Sequence, residues 1–272
     1  MPNDTVRPDH LPDFRNPPLN EVVLGVQFSP PKKYQQIYAG EVWDLYRDEF
    51  PKVEEQPPLS PTFETFGLPS KGGKQLDFIT GAAHDRFWFL REQGDELIQF
   101  QQDRLLHNWR KVEDKDNEYP RFESMIQRFK SELNRLENYL NRLSSQQLSI
   151  NQCEISYINH ISSEVGQALI ASDWFRFLMF DSKEPEGFAI SFREIFYDEN
   201  RKPQGRLLCE AATASKRDGS RILVMNLTAR GAPNGTDIQS ALQFLSTGRD
   251  LIVSRFAELT TDEAHKRWGR IK

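Results

Sequence analysis

The chain has 272 residues, 38% of them hydrophobic, and a formal net charge of -5. That is enough apolar material for one large domain or two halves sharing a core. The mildly acidic balance argues against a general nucleic-acid binder, which needs an excess of Lys and Arg to displace counterions. No run approaches the roughly 20 apolar residues of a membrane span and no apolar leader precedes residue 18, so the chain reads as cytoplasmic, with no membrane partner.

Residues 1–18 are polar and Pro-rich and read as an N-terminal arm, either mobile or laid along the body. NEVVLGVQF follows as a strand, with Val22, Leu24 and Val26 alternating against Val23, Gly25 and Gln27. Residues 33–50 read as a helix with Ile37, Val42, Leu45 and Phe50 near helical spacing, stopped by Pro51. Pro57, Pro58 and Pro61 mark residues 54–61 as an extended linker. Strand pieces are expected at 63–68 and 75–80, split by the turn SKGGK. Residues 87–90 and 97–101 form a hairpin around Gln93, Gly94 and Asp95. DRLLHNWRK then leaves it as a basic corner, before an acidic spacer. From Phe122 to Leu143, apolar residues recur at steps of three and four, the strongest helical period in the chain.

After a polar break at 144–149 the pattern restarts. CEISYINHIS is a strand, 164–180 is helical or irregular, and strands follow at 188–196, 205–213 and 222–228. Asp237 N-caps a long helix whose Gly248 marks a close approach or a kink, and TDEAHKRW makes a last short helix. Both halves, 19–145 and 146–272, therefore read as a β-α-β-β-β-α unit. The fold expected is α+β: two duplicated units forming one continuous antiparallel sheet, with the long helices packed on one face of a single pseudo-duplicated body. That geometry is shared with TATA-binding-protein-like saddles and helix-grip regulatory domains, all binding folds.

Chemistry-bearing motifs are sparse. Cys153 and Cys209 lie in apolar, strand-like runs without CxxC spacing and read as small buried hydrophobes. His107, His160 and His265 have no second ligand at metal spacing, so neither a metal nor a cofactor is expected. Cys153 and His160 stand seven apart in one strand, which sends them to opposite faces. The loop TARGAPNGTD, with Gly231 and Gly235, is a weak anion site before a helix. Arg104, His107, Asn108, Trp109, Arg110 and Lys111 concentrate cations around an aromatic and read as a docking patch for a protein partner, against the plainer reading that Trp109 closes the core edge among solvated cations. A second basic set, Lys266, Arg267, Arg270 and Lys272 around Trp268, closes the chain, and Trp268 is expected to be docked.

PPLNEVVLGVQF, DRLLHNWRK with YPRFE, ISYINHI and FAELTTDEAHKRWGR together resemble a sporadically distributed family of uncharacterised bacterial proteins of about this length, the resemblance running from Pro17 to Arg270. It implies no catalytic residues. Its patchy distribution implies a mobile module of the antiviral defence or toxin–antitoxin kind.

Three functions are weighed. The first is a non-enzymatic binding protein that holds a protein partner encoded nearby, or a second copy of itself, as antitoxin or regulatory subunit. The second is a small-molecule or nucleotide sensor binding between sheet and helices, with Tyr157, His160 and Arg230 as ligand residues and His107 nearby. The third is a metal-dependent nuclease built on Glu21, Asp77, Asp85 and Glu96.

Overall fold

The computed structural model describes residues 7–67, 84–112, 117–163, 168–180 and 185–272. Among the described residues nine strands form one antiparallel sheet: β1 (Leu19–Phe28), β2 (Lys52–Gln56), β3 (Arg86–Leu90), β4 (Glu96–Gln101), β5 (Arg104–Arg110), β6 (Ile150–Ile161), β7 (Ala189–Tyr197), β8 (Pro203–Ser215) and β9 (Arg221–Gly231). Their order across the sheet is β2-β3-β4-β5-β1-β6-β9-β8-β7. The described residues also form the α-helices α1 (Ala39–Asp44), α2 (Phe122–Ser144), α3 (Ile238–Leu259) and α4 (Asp262–Arg267). The protein is thus α+β, and no helix among the described residues is long and apolar enough to cross a membrane.

The register separates the two faces. One row runs Ile98–His107–Leu24–Ile155–Ala229–Leu207 across β4, β5, β1, β6, β9 and β8, and each of these residues is 5% exposed or less. With Val22, Val26, Leu105, Trp109, Cys153, Tyr157 and Leu227 it makes an apolar face. The opposite face carries Glu21, Gln27, Gln101, Arg104, Asn108, Gln152, Glu154, Ser156, Thr228, Arg230 and Arg206. Alternation along each strand forces this division, because successive side chains point to opposite sides.

Particular side chains join individual helices to individual strands. Glu132 of α2 reaches His107 of β5. A Cβ built on Gly248 of α3 would lie 2.7 Å from Ile155 Cγ2 and 3.1 Å from the Ala229 Cβ, so the glycine allows the close approach that its position suggests. Asp237 caps α3 by accepting from the Ser240 amide, and Thr261 caps α4 through the Ala264 amide. The arm lies along the body over residues 7–18. Phe14 is 5% exposed, packed edge-on against Phe256 and Trp268, while the Arg15 and Asn16 amides donate to the carbonyls of Gly269 and Trp268. Trp268 is docked on its own chain, stacked with Trp174 and Phe256.

Several local expectations need correction. The basic corner is strand β5, entered directly from β4 through Gln102 and Asp103. The first helix is only α1 with a preceding 3-10 turn at Gln36–Tyr38, and Ile37, placed on its apolar stripe by sequence, is 81% exposed. Lys52–Gln56 is an edge strand that takes in the start of the linker expected at 54–61. Residues 63–67 belong to no strand; residue 68 and the piece expected at 75–80 lie outside the described residues. The first half therefore has one strand more than the expected unit. The second, among the described residues, has a 3-10 turn at Ala171–Asp173 where the unit predicts a helix.

Candidate functional site: a strapped sheet face

Residues 57–67 leave β2 at the sheet edge and cross the polar face at right angles to the strands. Pro57, Pro58 and Pro61 each fix one backbone torsion and hold the preceding residue extended. Such a segment cannot satisfy its own amides and carbonyls, and the sheet supplies the partners through three buried glutamines. Gln101 of β4 grips Leu59 twice, its Oε1 accepting from the Leu59 amide at 2.9 Å and its Nε2 donating to the carbonyl at 3.0 Å. Gln27 Oε1 of β1 accepts from the Thr62 amide at 3.0 Å, and Gln152 Oε1 of β6 from the Glu64 amide at 3.4 Å. Gln101, Arg104, Gln27 and Gln152 form one cross-strand row, so the clamp follows from register alone.

The strap ends in a charged anchor. The Glu64 carboxylate, 7% exposed, pairs with Arg206 of β8 and with Arg230 of β9, the latter at 2.8 Å. Arg230 also holds Glu154 at 3.1 Å. Burial works against the charge on Arg230, but Glu154 and Glu64 hold its pKa above the ordinary value. Arg206 donates to the Thr65 carbonyl at 2.7 Å and stands 4.7 Å over the Phe66 ring. The geometry leaves no slack. From β4 to β8 are five strand intervals, about 24 Å at about 4.8 Å each, and the roughly six residue steps from Leu59 to Thr65 span about 20–22 Å fully extended; the arms of Gln101 and Arg206 cover the rest.

The strap is not sealed onto the sheet. A cavity of about 70 Å³ remains between Leu59 and Thr62 above and Gly25, Leu106, Arg104 and Glu154 below, room for about two waters. The strap's apolar side chains are only partly covered, with Leu59 37% and Phe63 55% exposed. Arg104 is held beside it by Asp103, at 3.0 Å.

Of the residues singled out by sequence, Arg230 anchors the strap and Arg104 lines its cavity, and the others fall elsewhere. Of the docking patch, Arg104 and Asn108 point to the strapped face, while His107 and Trp109 point to the apolar face, Trp109 against Tyr119. Arg110 donates to the Gly94 carbonyl at 2.7 Å, and only Lys111 is exposed. These six do not form one contiguous exposed surface, because they alternate along a central strand. The sensor residues do not converge either: Tyr157 lies on the apolar face, bonded to the Tyr119 hydroxyl at 3.0 Å, whereas His160 and Arg230 face the other way. The small cleft beside Tyr157 and Tyr119 has a volume of about 60 Å³. Of the four carboxylates, Glu21 and Glu96 are on opposite faces, Asp85 is exposed and Asp77 lies outside the described residues. Among the described residues no group of three His, Cys, Asp or Glu is placed to hold a metal ion. Burial pushes the Cys153 and Cys209 thiols up, Cys209 to about 12, so both stay protonated. The Ser240 amide at the start of α3 is already taken by Asp237, which fills the anion position expected there.

A second buried polar cluster lies between β4, β5 and α2. His107 Nδ1 donates to Glu132 at 2.9 Å, and its Nε2 lies 3.5 Å from Glu96. Glu96 accepts from Arg128 at 2.6 and 2.7 Å and pairs with Arg91 at 3.1 Å. Burial alone lowers the His107 pKa, but Glu132 and Glu96 outweigh it and raise it to about 9. Burial likewise raises Glu96, and His107, Arg128 and Arg91 overcome this to bring it to about 2. His107 is fully buried, so this cluster is a charged tie between sheet and helix.

Gln27, Gln101, Gln152, Glu64 and Arg206 were not singled out by sequence. The only signal was indirect: glutamines at the polar positions of otherwise apolar strands, and a triple-proline segment too stiff to be slack linker. Comparison with family models, with curated proteins and with solved structures finds no match to this chain.

Proposed function

We propose that the protein is a non-enzymatic binding protein that uses the strapped sheet face to hold an extended segment of a protein partner. One observation carries this reading. The face is equipped to bind a peptide main chain and one carboxylate, through three buried glutamine amides and the Arg206–Arg230 pair. Amide side chains that pair with a backbone bind almost any sequence in extended form, and the arginine pair adds a requirement for an acidic residue. The role of antitoxin or regulatory subunit in a defence module, which the family resemblance implies, fits such an activity.

The two flanks are read here as copies of one unit, with both long helices on the apolar face. Supporting this, β1-β5-β4-β3 and β6-β9-β8-β7 run in the same sequence of first, last and intervening strands, and each last strand leads to a long helix. The unit boundary then falls near residue 145, and β1 and β6 are the equivalent strands that join the copies.

The test is native mass spectrometry of the protein co-expressed with the products of its neighbouring genes. A stoichiometric heterocomplex is expected, and it should be lost in the double variant Arg206→Ala/Arg230→Ala. A chain that flies alone, or a complex indifferent to the two arginines, would overturn the assignment.

A further inference from the structure

Resting on that reading, we infer that residues 59–66 are an intramolecular competitor: the chain fills its own peptide site, and a partner segment of the pattern acidic-x-aromatic binds by displacing them. The strap makes every contact a foreign peptide would make. Its backbone is bonded by Gln101, Gln27 and Gln152, its Glu64 by Arg206 and Arg230, and its Phe66 lies under the Arg206 guanidinium. What it has little of is apolar anchorage. Phe63 is 55% exposed, Leu59 37%, and the cavity of about 70 Å³ that Leu59 lines stays open beneath. Side-chain hydrogen bonds contribute modestly after exchange with water, so the strap is held by its covalent tether and by one buried carboxylate. Removing that carboxylate vacates the site without touching the groups that would receive a partner. A segment that filled the cavity and covered Leu106 would gain what the strap forgoes.

The experiment uses the full chain, its Glu64→Ala variant and a synthetic peptide of residues 56–67, QPPLSPTFETFG. Binding is followed by NMR titration at millimolar peptide. In the wild type the strap occupies the site, and the apparent affinity falls by the fraction of open molecules. Glu64→Ala should therefore bind the peptide at least about tenfold more tightly than wild type. A peptide with Ala in place of its Glu should not bind that variant, and adding Arg206→Ala/Arg230→Ala should abolish binding. Equal affinity for wild type and Glu64→Ala would overturn the competition while leaving the binding reading standing. Binding to neither would overturn both. Should Glu64→Ala fail to fold, hydrogen exchange on the wild type decides. The Leu59, Thr62 and Glu64 amides must exchange through a local opening, well ahead of the amides of β1 and β6. Exchange of these three only through global unfolding rules displacement out.

Discussion

His107 lies between Glu132 and Glu96 with no exposed surface, and its second nitrogen makes no conventional hydrogen bond. Only a charged imidazolium satisfies that position, since a neutral ring would leave two carboxylates facing each other across it. Folding therefore takes up a proton here. The folded pKa of about 9 stands above the ordinary 6.5, so the stabilisation is complete below about pH 6.5 and is lost as the pH rises through about 9. Glu96 runs the other way, with its contribution present above about pH 4.5 and lost as the pH falls towards about 2. Urea unfolding of the wild type should thus show a midpoint that declines between pH 6.5 and 9. His107→Ala should cost about 3–5 kcal/mol at neutral pH, the usual penalty for stranding buried partners, and should flatten that decline. A wild-type midpoint that is constant over the same window would mean His107 is neutral in the fold. Sequence placed His107 in a docking patch because Arg104, Trp109 and Arg110 surround it. It could not show that Glu132, 25 positions on, turns its carboxylate back over β5.

At the scale of elements, what the chain discloses depends on whether one face is buried. Helix α2 is legible because Phe122, Ile126, Phe129, Leu133, Leu136 and Leu140 make a buried stripe and the other side is polar; strands β1, β6 and β9 alternate because one face of each carries the apolar residues. Strand β2 is not, because Lys52, Val53, Glu54 and Glu55 are all exposed and an edge strand with no buried face has no period to read. Strand β5 does alternate, but its polar positions carry Arg104, Asn108 and Arg110, which dominate the eye as a charge cluster. The strap has no period at all, since its partners are glutamine side chains from three separate strands. Gly248 shows the opposite case, where one residue predicts a packing detail. Alanine there favours the helix by about 1 kcal/mol, yet its Cβ would sit 2.7 Å from Ile155 Cγ2, and overpacking of a tight core costs about 1–3 kcal/mol. The second effect should win because Ile155 is buried with no room to retreat. Gly248→Ala is expected to lower the denaturation midpoint, and Gly248→Val to lower it further. A Gly248→Ala protein as stable as wild type would show that α3 can lift away from β6.

For the whole molecule, the two flanks are tied at several places, of which five stand out. β1 and β6 pair along their length in the middle of the sheet. Arg249 of α3, 4% exposed, reaches Glu123 of α2 at 3.0 Å. Phe14 of the arm sits under Phe256 and Trp268, the chain ends pair where Ile271 donates to the Asp13 carbonyl, and Glu64 crosses to Arg206 and Arg230. Each tie leaves a defect on both sides when the halves part. Separation would expose β6 as a long apolar edge, which invites aggregation, and would leave Arg249 without Glu123 and Arg230 without Glu64. None of these ties is visible in local sequence, since each joins residues distant in the chain. Fragments 1–145 and 146–272 should therefore fail to unfold cooperatively when purified singly. Mixed during refolding, they should form a one-to-one complex with the circular dichroism of the intact chain, because the ties are non-covalent and those made by Gln146 and Ser149 to Lys32 and Ser29 stay with the second fragment. Phe14→Ala should weaken that complex more than it destabilises the intact chain, where the covalent link keeps the arm near its site. Either fragment melting alone near the wild-type temperature would show that the halves are independent domains and that the shared sheet is an interface between them.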